Sequence, residues 1–167
     1  MENKGFTLIE LIVVIAIIAV LSGIILFSVT QYISKGKDSN ISGNLAVLVP
    51  AGEVFYNGNG SSYNDNQGHN FCDPGVNSVI SNAISQMPQR NFGDCWSQNN
   101  TNTTNPAGLC CYASSDGNSW AACAQEFTPQ NPPMAYCVDS RGVKEEITNS
   151  DCTGYVSVNF KCPDQSD

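Results

Sequence analysis

The chain has 167 residues, 41% of them hydrophobic, but its contiguous apolar sequence is concentrated before residue 28, which excludes one uniform globular domain. Seven lysines and arginines against fifteen aspartates and glutamates give a formal net charge of −8. Because phosphate contacts require dense positive charge, this balance argues against a protein that binds nucleic acid or an anionic membrane surface.

The apolar segment from Phe6 to Phe27 predicts a helix that can cross a membrane. Its 22 residues, at about 1.5 Å each, reach about 33 Å, enough for the hydrocarbon core of a bilayer. The segment is apolar on all sides, and the rest of the chain is too short to enclose a buried central helix. It is also longer than the apolar stretch of a secretory signal peptide. We therefore expect one anchor followed by one head.

Glu10 places a carboxylate inside this apolar segment. Such a charge costs about 2.5 to 3.5 kcal/mol at the centre of a membrane helix and less near its end, so it requires a partner or a function. Lys4 precedes Glu10 by six residues, which does not match the three- or four-residue spacing of helical ion pairs. The partner must therefore come from outside the segment.

The sequence Lys4–Leu11, KGFTLIEL, followed by the apolar segment, resembles the N-terminus of type IV pilins and type II secretion pseudopilins. The resemblance covers about residues 1–35. It implies that a hydrophilic leader ending at Gly5 is removed by a prepilin peptidase, leaving an N-methylated Phe6. It also implies that Glu10 pairs with the Phe6 amine of a neighbouring subunit and sets the register of a filament.

The resemblance divides the chain into a leader (1–5), a transmembrane and filament-core helix (6–30) and a pilin head (31–167). It implies a helical homo-oligomer, an assembly ATPase and platform protein in the inner membrane, surrounding lipid before assembly, and no cofactor. The N-terminus would face the cytoplasm, although Lys35 and Lys37 mildly favour the opposite orientation. We give the processing motif and the cysteine-rich head more weight than those two lysines. Where the family often has a proline, this chain has Ser22-Gly23, a weaker helix breaker.

The helix is predicted to continue beyond the anchor as an amphipathic segment that packs on the head. Pro50 is expected to kink it or to start a new segment near Leu48, and the sequence from Asn57 to Ser62 should end it. The apolar stripe has helical spacing and consists of Ile41, Leu45, Leu48, Gly52 and Phe55.

A second helix is predicted between a cap at Asp73 and Pro88, with Pro74 at its first position. Its apolar face should be core and contains Val76, Val79, Ile80, Ala83, Ile84 and Met87. Four strands are predicted over Leu109–Ala113, Ser119–Phe127, Met134–Ser140 and Tyr155–Phe160, with a hairpin turn at Asp116-Gly117-Asn118. The polar stretch 97–105 should be an exposed loop. The expected fold is α+β, with a long N-terminal helix on an antiparallel meander.

The cysteines are even in number, and all of them follow the anchor, which favours disulfides. Zinc is the alternative, but the chain has no Cys-x₂-Cys pair and His69 is its only histidine. Cys110 and Cys111 should have different partners, since adjacent residues of a strand point to opposite faces. The family resemblance implies a Cys152–Cys162 pair. The disulfide candidates are Cys72, Cys95, Cys110, Cys111, Cys123, Cys137, Cys152 and Cys162.

The sequence predicts no enzyme, because His69 lies in a polar loop and no Gly-x-Ser-x-Gly signature is present. Calcium is a weaker alternative, since some major pseudopilins bind it in this region. Without an Asp-x-Asp-x-Asp loop we interpret the acidic residues as turn residues and predict no metal. The calcium candidates are Asp116 and Asp139, with Glu145, Glu146 and Asp151 nearby in sequence.

The predicted function is that of a structural subunit of a type IV pilus-like extracellular filament. The first alternative is a major pseudopilin of a type II secretion system, which would place the filament in the periplasm; the hairpin at Asp116 resembles the meander of those proteins. The second alternative is a membrane-tethered binding module or enzyme whose anchor only mimics a pilin start. In that case Phe6 would not be a new N-terminus and Glu10 would be dispensable.

Overall fold

A computed structural model describes residues 5–65, 67–75, 77–88 and 108–164 of the chain. Met1 to Lys4 of the predicted leader, Cys95 and the polar stretch 97–105 lie outside the described residues.

Helix α1 (Leu8–Gly58) is continuous over 51 residues. It begins at a capping box formed by Thr7 and Glu10, and it ends where the Asn59 amide donates to the Phe55 carbonyl at 3.0 Å. Pro50 lies inside this helix, so the predicted new segment near Leu48 is wrong. Burial of Leu48 and Gly52 on either side of Pro50 offsets the one backbone hydrogen bond that the proline removes.

Helix α2 (Ser78–Gln86) begins later than predicted. Its cap is Asn77, whose side chain accepts from the Val79 amide at 3.0 Å, and the prediction of Asp73 as the cap is wrong. The Asp73 carboxylate accepts from the Gly75 amide at 2.8 Å instead and thereby closes a turn before the helix.

Four antiparallel strands form one sheet in the order β1-β2-β3-β4, which confirms the predicted meander. They are β1 (Leu109–Ala113), β2 (Trp120–Gln125), β3 (Met134–Asp139) and β4 (Lys144–Thr148). The sequence analysis did not predict β4, because it is a polar edge strand with a single buried residue, Ile147.

The prediction of a strand over Tyr155–Phe160 is wrong, because this segment forms helix α4 (Tyr155–Asn159) directly after helix α3 (Asn149–Thr153). A short apolar run does not distinguish a strand from a helical turn by periodicity alone. Val156 is the buried residue of α4, and Phe160 ends it in the left-handed conformation with φ 51°. Helices α3 and α4 lie over the face of the sheet that is opposite to α1 and α2.

Each face of the sheet covers a separate hydrophobic cluster. The face toward α1 and α2 includes Leu109, Trp120 and Val138, which pack with Leu45 and Phe71. The opposite face, under α3 and α4, is rich in cysteine and alanine. Its buried residues are Cys110, Tyr112, Ala121, Cys123, Ala135, Cys137, Ile147, Cys152, Val156 and Cys162.

Disulfides fasten both faces. Cys72–Cys111 lies on the helix side, while Cys123–Cys152 and Cys137–Cys162 join the opposite face to the C-terminal segment. The expected Cys152–Cys162 pair is therefore wrong, because Cys152 on α3 bonds to β2, whereas Cys162 in the segment after α4 bonds to β3. Cys110 is disulfide-bonded as well and does not pair with Cys111, which confirms that the adjacent cysteines have different partners.

Candidate functional site

The N-terminal half of α1 extends away from the head with its apolar side chains uncovered. Leu8 is 75% exposed, Ile17 is 55% exposed and Ile24 is 62% exposed. The helix contains an 18-residue stretch long and apolar enough to cross a membrane, and none of that stretch is buried in the structure. Burying one such side chain is favourable by about 1.5 to 3 kcal/mol, so lipid or other apolar helices must cover this surface.

Glu10 and Thr7 form a local hydrogen-bonded pair at the start of this exposed helix. The Oε2 atom of Glu10 accepts from the Thr7 amide at 2.8 Å and from the Thr7 hydroxyl at 2.6 Å. A carboxylate at this end is also favoured by the helix dipole. Sequence reasoning missed this role of Thr7, although Thr-x-x-Glu before an apolar run is the signature of a capping box.

The predicted cleavage position precedes the helix. Gly5 and Phe6 are both exposed and non-helical, and Phe6 is 89% exposed. A protease needs such an accessible, extended peptide bond. Removal of residues 1–5 would leave the Thr7 amide and hydroxyl in place, so the Thr7–Glu10 pair does not depend on the leader.

The head is joined to α1 just beyond the exposed half. The Asp38 carboxylate accepts from the Phe127 and Thr128 amides and from the Thr128 hydroxyl, and Lys37 lies 4.5 Å from the centre of the Phe127 ring. Sequence reasoning missed this joint, because Asp38 and Thr128 are 90 residues apart in the chain.

Burial raises the pKa of the neighbouring Glu126 carboxyl to about 7, and the charges of Glu146 and Asp38 add to the shift. The Oε2 atom of Glu126 accepts from the side-chain Nε2 atom of Gln130 at 3.1 Å.

The weaker site candidates have partners within the fold. Asp116 accepts from the Ser114 hydroxyl at 2.5 Å and the Asn118 amide at 3.1 Å, bonds that fit a turn residue. The buried Asp139 carboxylate accepts from the Arg141 guanidinium at 2.7 Å, so an arginine already neutralises it. His69 contacts Asp65 at 3.0 Å within its own loop.

The N-terminal sequence matches the family model described as a prokaryotic N-terminal methylation motif over residues 1–26. The chain is 56% identical over 44 residues to the type IV major alpha-pilin of Moraxella bovis, covering 26% of this chain and 28% of that pilin. Its N-terminus is therefore similar to that of type IV pilins. The resemblance inferred from Lys4–Leu11 is thus confirmed for the N-terminal segment of the chain.

Two further relatives show the same pattern. Fimbrial protein Q of Moraxella bovis is 54% identical over 44 residues, 26% of this chain and 28% of that protein. The type IV major pilin protein PilA of Myxococcus xanthus (strain DK1622) is 38% identical over 55 residues, 33% of this chain and 25% of that protein. The pilin-like chain thus spans about a quarter of the length of each relative, and no solved structure matches it.

Proposed function

We propose that this protein is a structural subunit of a type IV pilus-like filament and has no catalytic activity of its own. The observation that supports this most strongly is the uncovered apolar half of α1, which begins with one carboxylate at Glu10. Packing of identical helices side by side would bury that surface, and a bilayer would cover it before assembly. The similarity to major pilins of two organisms fits this role.

In the proposed assembly, Glu10 is the residue that pairs with a neighbouring subunit. A prepilin peptidase removes residues 1–5, and the new Phe6 amine, N-methylated, provides a cation at the end of the apolar helix. Thr7 occupies the Oε2 atom of Glu10, which leaves Oε1 to accept from the amine of a neighbouring subunit. A buried, paired charge fixes one axial position among otherwise interchangeable apolar contacts.

The proposed domain division is a leader (1–5), a membrane and filament-core helix (6–30) and an exported head (31–167). The subunit waits in the inner membrane with its N-terminus in the cytoplasm. A platform protein and an ATPase then move it into an extracellular filament. Disulfides on both faces of the sheet suit an oxidising compartment for the head.

A pseudopilin of a type II secretion system is the second candidate. The observation that favours it is the tight β1–β2 hairpin around Asp116-Gly117-Asn118, within a four-stranded meander. Shearing intact cells separates the two, because a pilus is recovered in the sheared fraction and a periplasmic pseudopilus is not.

The Glu10→Gln variant tests the assembly mechanism. Glutamine keeps the size of the side chain and an oxygen that can accept from Thr7, but it removes the charge. We expect normal membrane levels and normal removal of the leader, with filament yield lowered at least tenfold on quantitative immunoblots of sheared cells. Glu53→Gln, an exposed position in the head half of α1, serves as the matched control and should retain filaments. Normal filament yield from Glu10→Gln would contradict the mechanism.

A further inference from the structure

Three cysteines form a row across the sheet face that lies under α3 and α4. Cys110 on β1 is directly opposite Cys123 on β2, and Cys123 is directly opposite Cys137 on β3. All three are buried, with at most 1% of their surface exposed. Directly opposed residues of antiparallel strands have Cα atoms about 4.5 to 5.5 Å apart, within the range that a disulfide can join.

The native bonds do not join these cross-strand neighbours. Cys123 is bonded to Cys152 on α3, Cys137 is bonded to Cys162, and Cys110 has its own disulfide. The sulfur atoms of Cys110, Cys123 and Cys152 nevertheless all lie within 4.8 Å of one another. Among the described residues, the Cys123 sulfur therefore has two cysteine sulfurs in its immediate neighbourhood, those of Cys110 and Cys152, and its native disulfide uses only that of Cys152.

The order in which these cysteines meet during folding favours a bond from Cys123 to Cys110 over a bond from Cys123 to Cys152. Cys110 and Cys123 are 13 residues apart on a hairpin, whereas 29 residues separate Cys123 from Cys152. The hairpin is closed by local bonds, including Ser114 N–H to the Ser119 carbonyl at 2.9 Å. Hairpins form in about 1 to 10 μs, and a shorter loop costs less entropy to close. Helix α3 contacts β2, β3 and β4, so its docking site is complete only when all three strands are in place.

We propose that Cys123 first pairs with Cys110 and is transferred to Cys152 when α3 docks on the sheet. The cross-strand bond thus holds the β1–β2 hairpin in register until the rest of the sheet is formed. This inference concerns the folding of the head and does not rest on the proposed filament function.

The chemistry balances in three steps. The thiols of Cys110 and Cys123 first lose two protons and two electrons to an external disulfide oxidant, which is reduced to its dithiol. The Cys152 thiolate next attacks the Cys123 sulfur, so that the Cys123–Cys152 bond forms while the Cys110–Cys123 bond breaks and Cys110 leaves as a thiolate. This exchange involves no net oxidation. A second equivalent of oxidant then takes two protons and two electrons from the Cys110 thiol and the thiol of its native partner, which form their disulfide while the oxidant is reduced to its dithiol.

Disulfide mapping during refolding tests the transfer. The full-length chain, reduced and unfolded, is diluted into detergent micelles with oxidised and reduced glutathione, blocked with N-ethylmaleimide at increasing times, and digested with chymotrypsin and trypsin. Chymotryptic cleavage after Tyr112, Trp120 and Phe127 separates Cys110, Cys123 and Cys137, and tryptic cleavage after Lys144 separates Cys137 from Cys152. Fragmentation of the linked peptides by electron transfer distinguishes Cys110 from Cys111.

For the unmodified chain, we expect a Cys110–Cys123 species that appears early and declines as Cys123–Cys152 increases. The Cys152→Ser variant removes the acceptor of the transfer, so the Cys110–Cys123 bond should persist in most molecules. The Cys162→Ser variant is the matched control, since it removes the partner of the neighbouring cysteine in the same row. It should retain Cys123–Cys152 and leave a thiol on Cys137.

Three results would overturn the proposal. The first is the absence of any Cys110–Cys123 species at every time point of the unmodified chain. The second is a Cys152→Ser variant in which Cys123 remains a thiol throughout. The third is a Cys123–Cys137 bond in Cys162→Ser, which would mean that neighbours in the row pair without preference.

Discussion

Gly52 is the residue of α1 that lies against the Trp120 side chain of β2. A Cβ atom at this position would lie 2.7 Å from the Nε1 atom of Trp120, a side chain that is itself fully buried. The helical spacing of the apolar residues placed Gly52 on the packed stripe of α1. Trp120 is 68 positions away in the chain, so no sequence pattern could identify it as the reason for glycine.

Replacement of Gly52 by alanine should therefore destabilise the head. We expect Gly52→Ala to lower the free energy of unfolding by about 1 to 3 kcal/mol, because the added methyl group forces the Trp120 ring or the helix to move. Gly43→Ala is the matched control. Its added Cβ meets nothing within 4 Å, so better helix propensity should raise the free energy of unfolding by about 0.5 to 1 kcal/mol.

Urea unfolding of the detergent-solubilised chain, followed by circular dichroism, measures the free energy of unfolding of both variants. Equal stabilities of Gly52→Ala and Gly43→Ala would contradict the close packing of α1 on the sheet.

A joint between α1 and the segment after β2 connects the long helix to the head. Asp38 on α1 accepts from Phe127 and Thr128, and Glu126 is buried beside it. Lys37 covers the Phe127 ring, while Glu146 on β4 and Asp38 both place negative charge near Glu126. In this joint the Asp38 carboxylate accepts several hydrogen bonds, whereas the Glu126 carboxyl is costly to ionise.

The raised pKa of Glu126 makes the stability of the head depend on pH. In the unfolded chain a glutamate loses its proton near pH 4.3, whereas the folded state holds this proton up to a pKa of about 7. Because the folded state binds more protons in between, the free energy of unfolding should fall as pH rises from about 4.5 to 7 and level off above that range.

Glu126→Gln should remove the part of this fall that Glu126 causes and raise the free energy of unfolding at pH 8 by about 2 kcal/mol, since glutamine carries no charge to bury. Burial also raises the pKa of Glu145, so a smaller fall should remain. In Glu146→Gln, the fall should end at a lower pH, because one of the charges that raise the pKa of Glu126 is gone. Thermal unfolding of the three proteins between pH 4.5 and 8 measures both effects. Parallel pH profiles of Glu126→Gln and the unmodified chain would contradict the account.

The elements differ in how well their sequence predicts them. The bounds of β1 and the order of the first three strands follow from short apolar runs separated by turn residues, and they were predicted correctly. The polar strand β4 and helix α4 were not, because their placement depends on what covers them: Ile147 and Val156 are buried against the cysteine face of the sheet. The disulfide pairing failed for the same reason, since it depends on which strand each C-terminal helix covers.

The described part of the chain consists of a head that buries its apolar core and a helix whose N-terminal half exposes its apolar side chains. The head buries two clusters, one on each face of its sheet, and disulfides hold the segments that cover them. The N-terminal half of α1 has its apolar surface uncovered and one carboxylate at its start. This contrast was readable from the sequence, because hydropathy and the position of Glu10 are local features.

We propose that a bilayer and a bundle of identical helices cover this surface in succession. In this proposal the N-terminus is processed between the two, because the charged leader would otherwise remain at the end of the filament core. Processing at Gly5–Phe6 would supply the amine that pairs with Glu10, and the proposed filament function depends on this step.

Mass spectrometry of the N-terminus of protein sheared from intact cells tests this claim most directly. We predict a chain that begins at an N-methylated Phe6 in the sheared, filamentous fraction. An N-methylated Phe6 found only in membranes would favour the pseudopilin alternative. A chain that still begins at Met1 would contradict the account, because it would mean that the apolar helix is a permanent anchor and not the core of a filament.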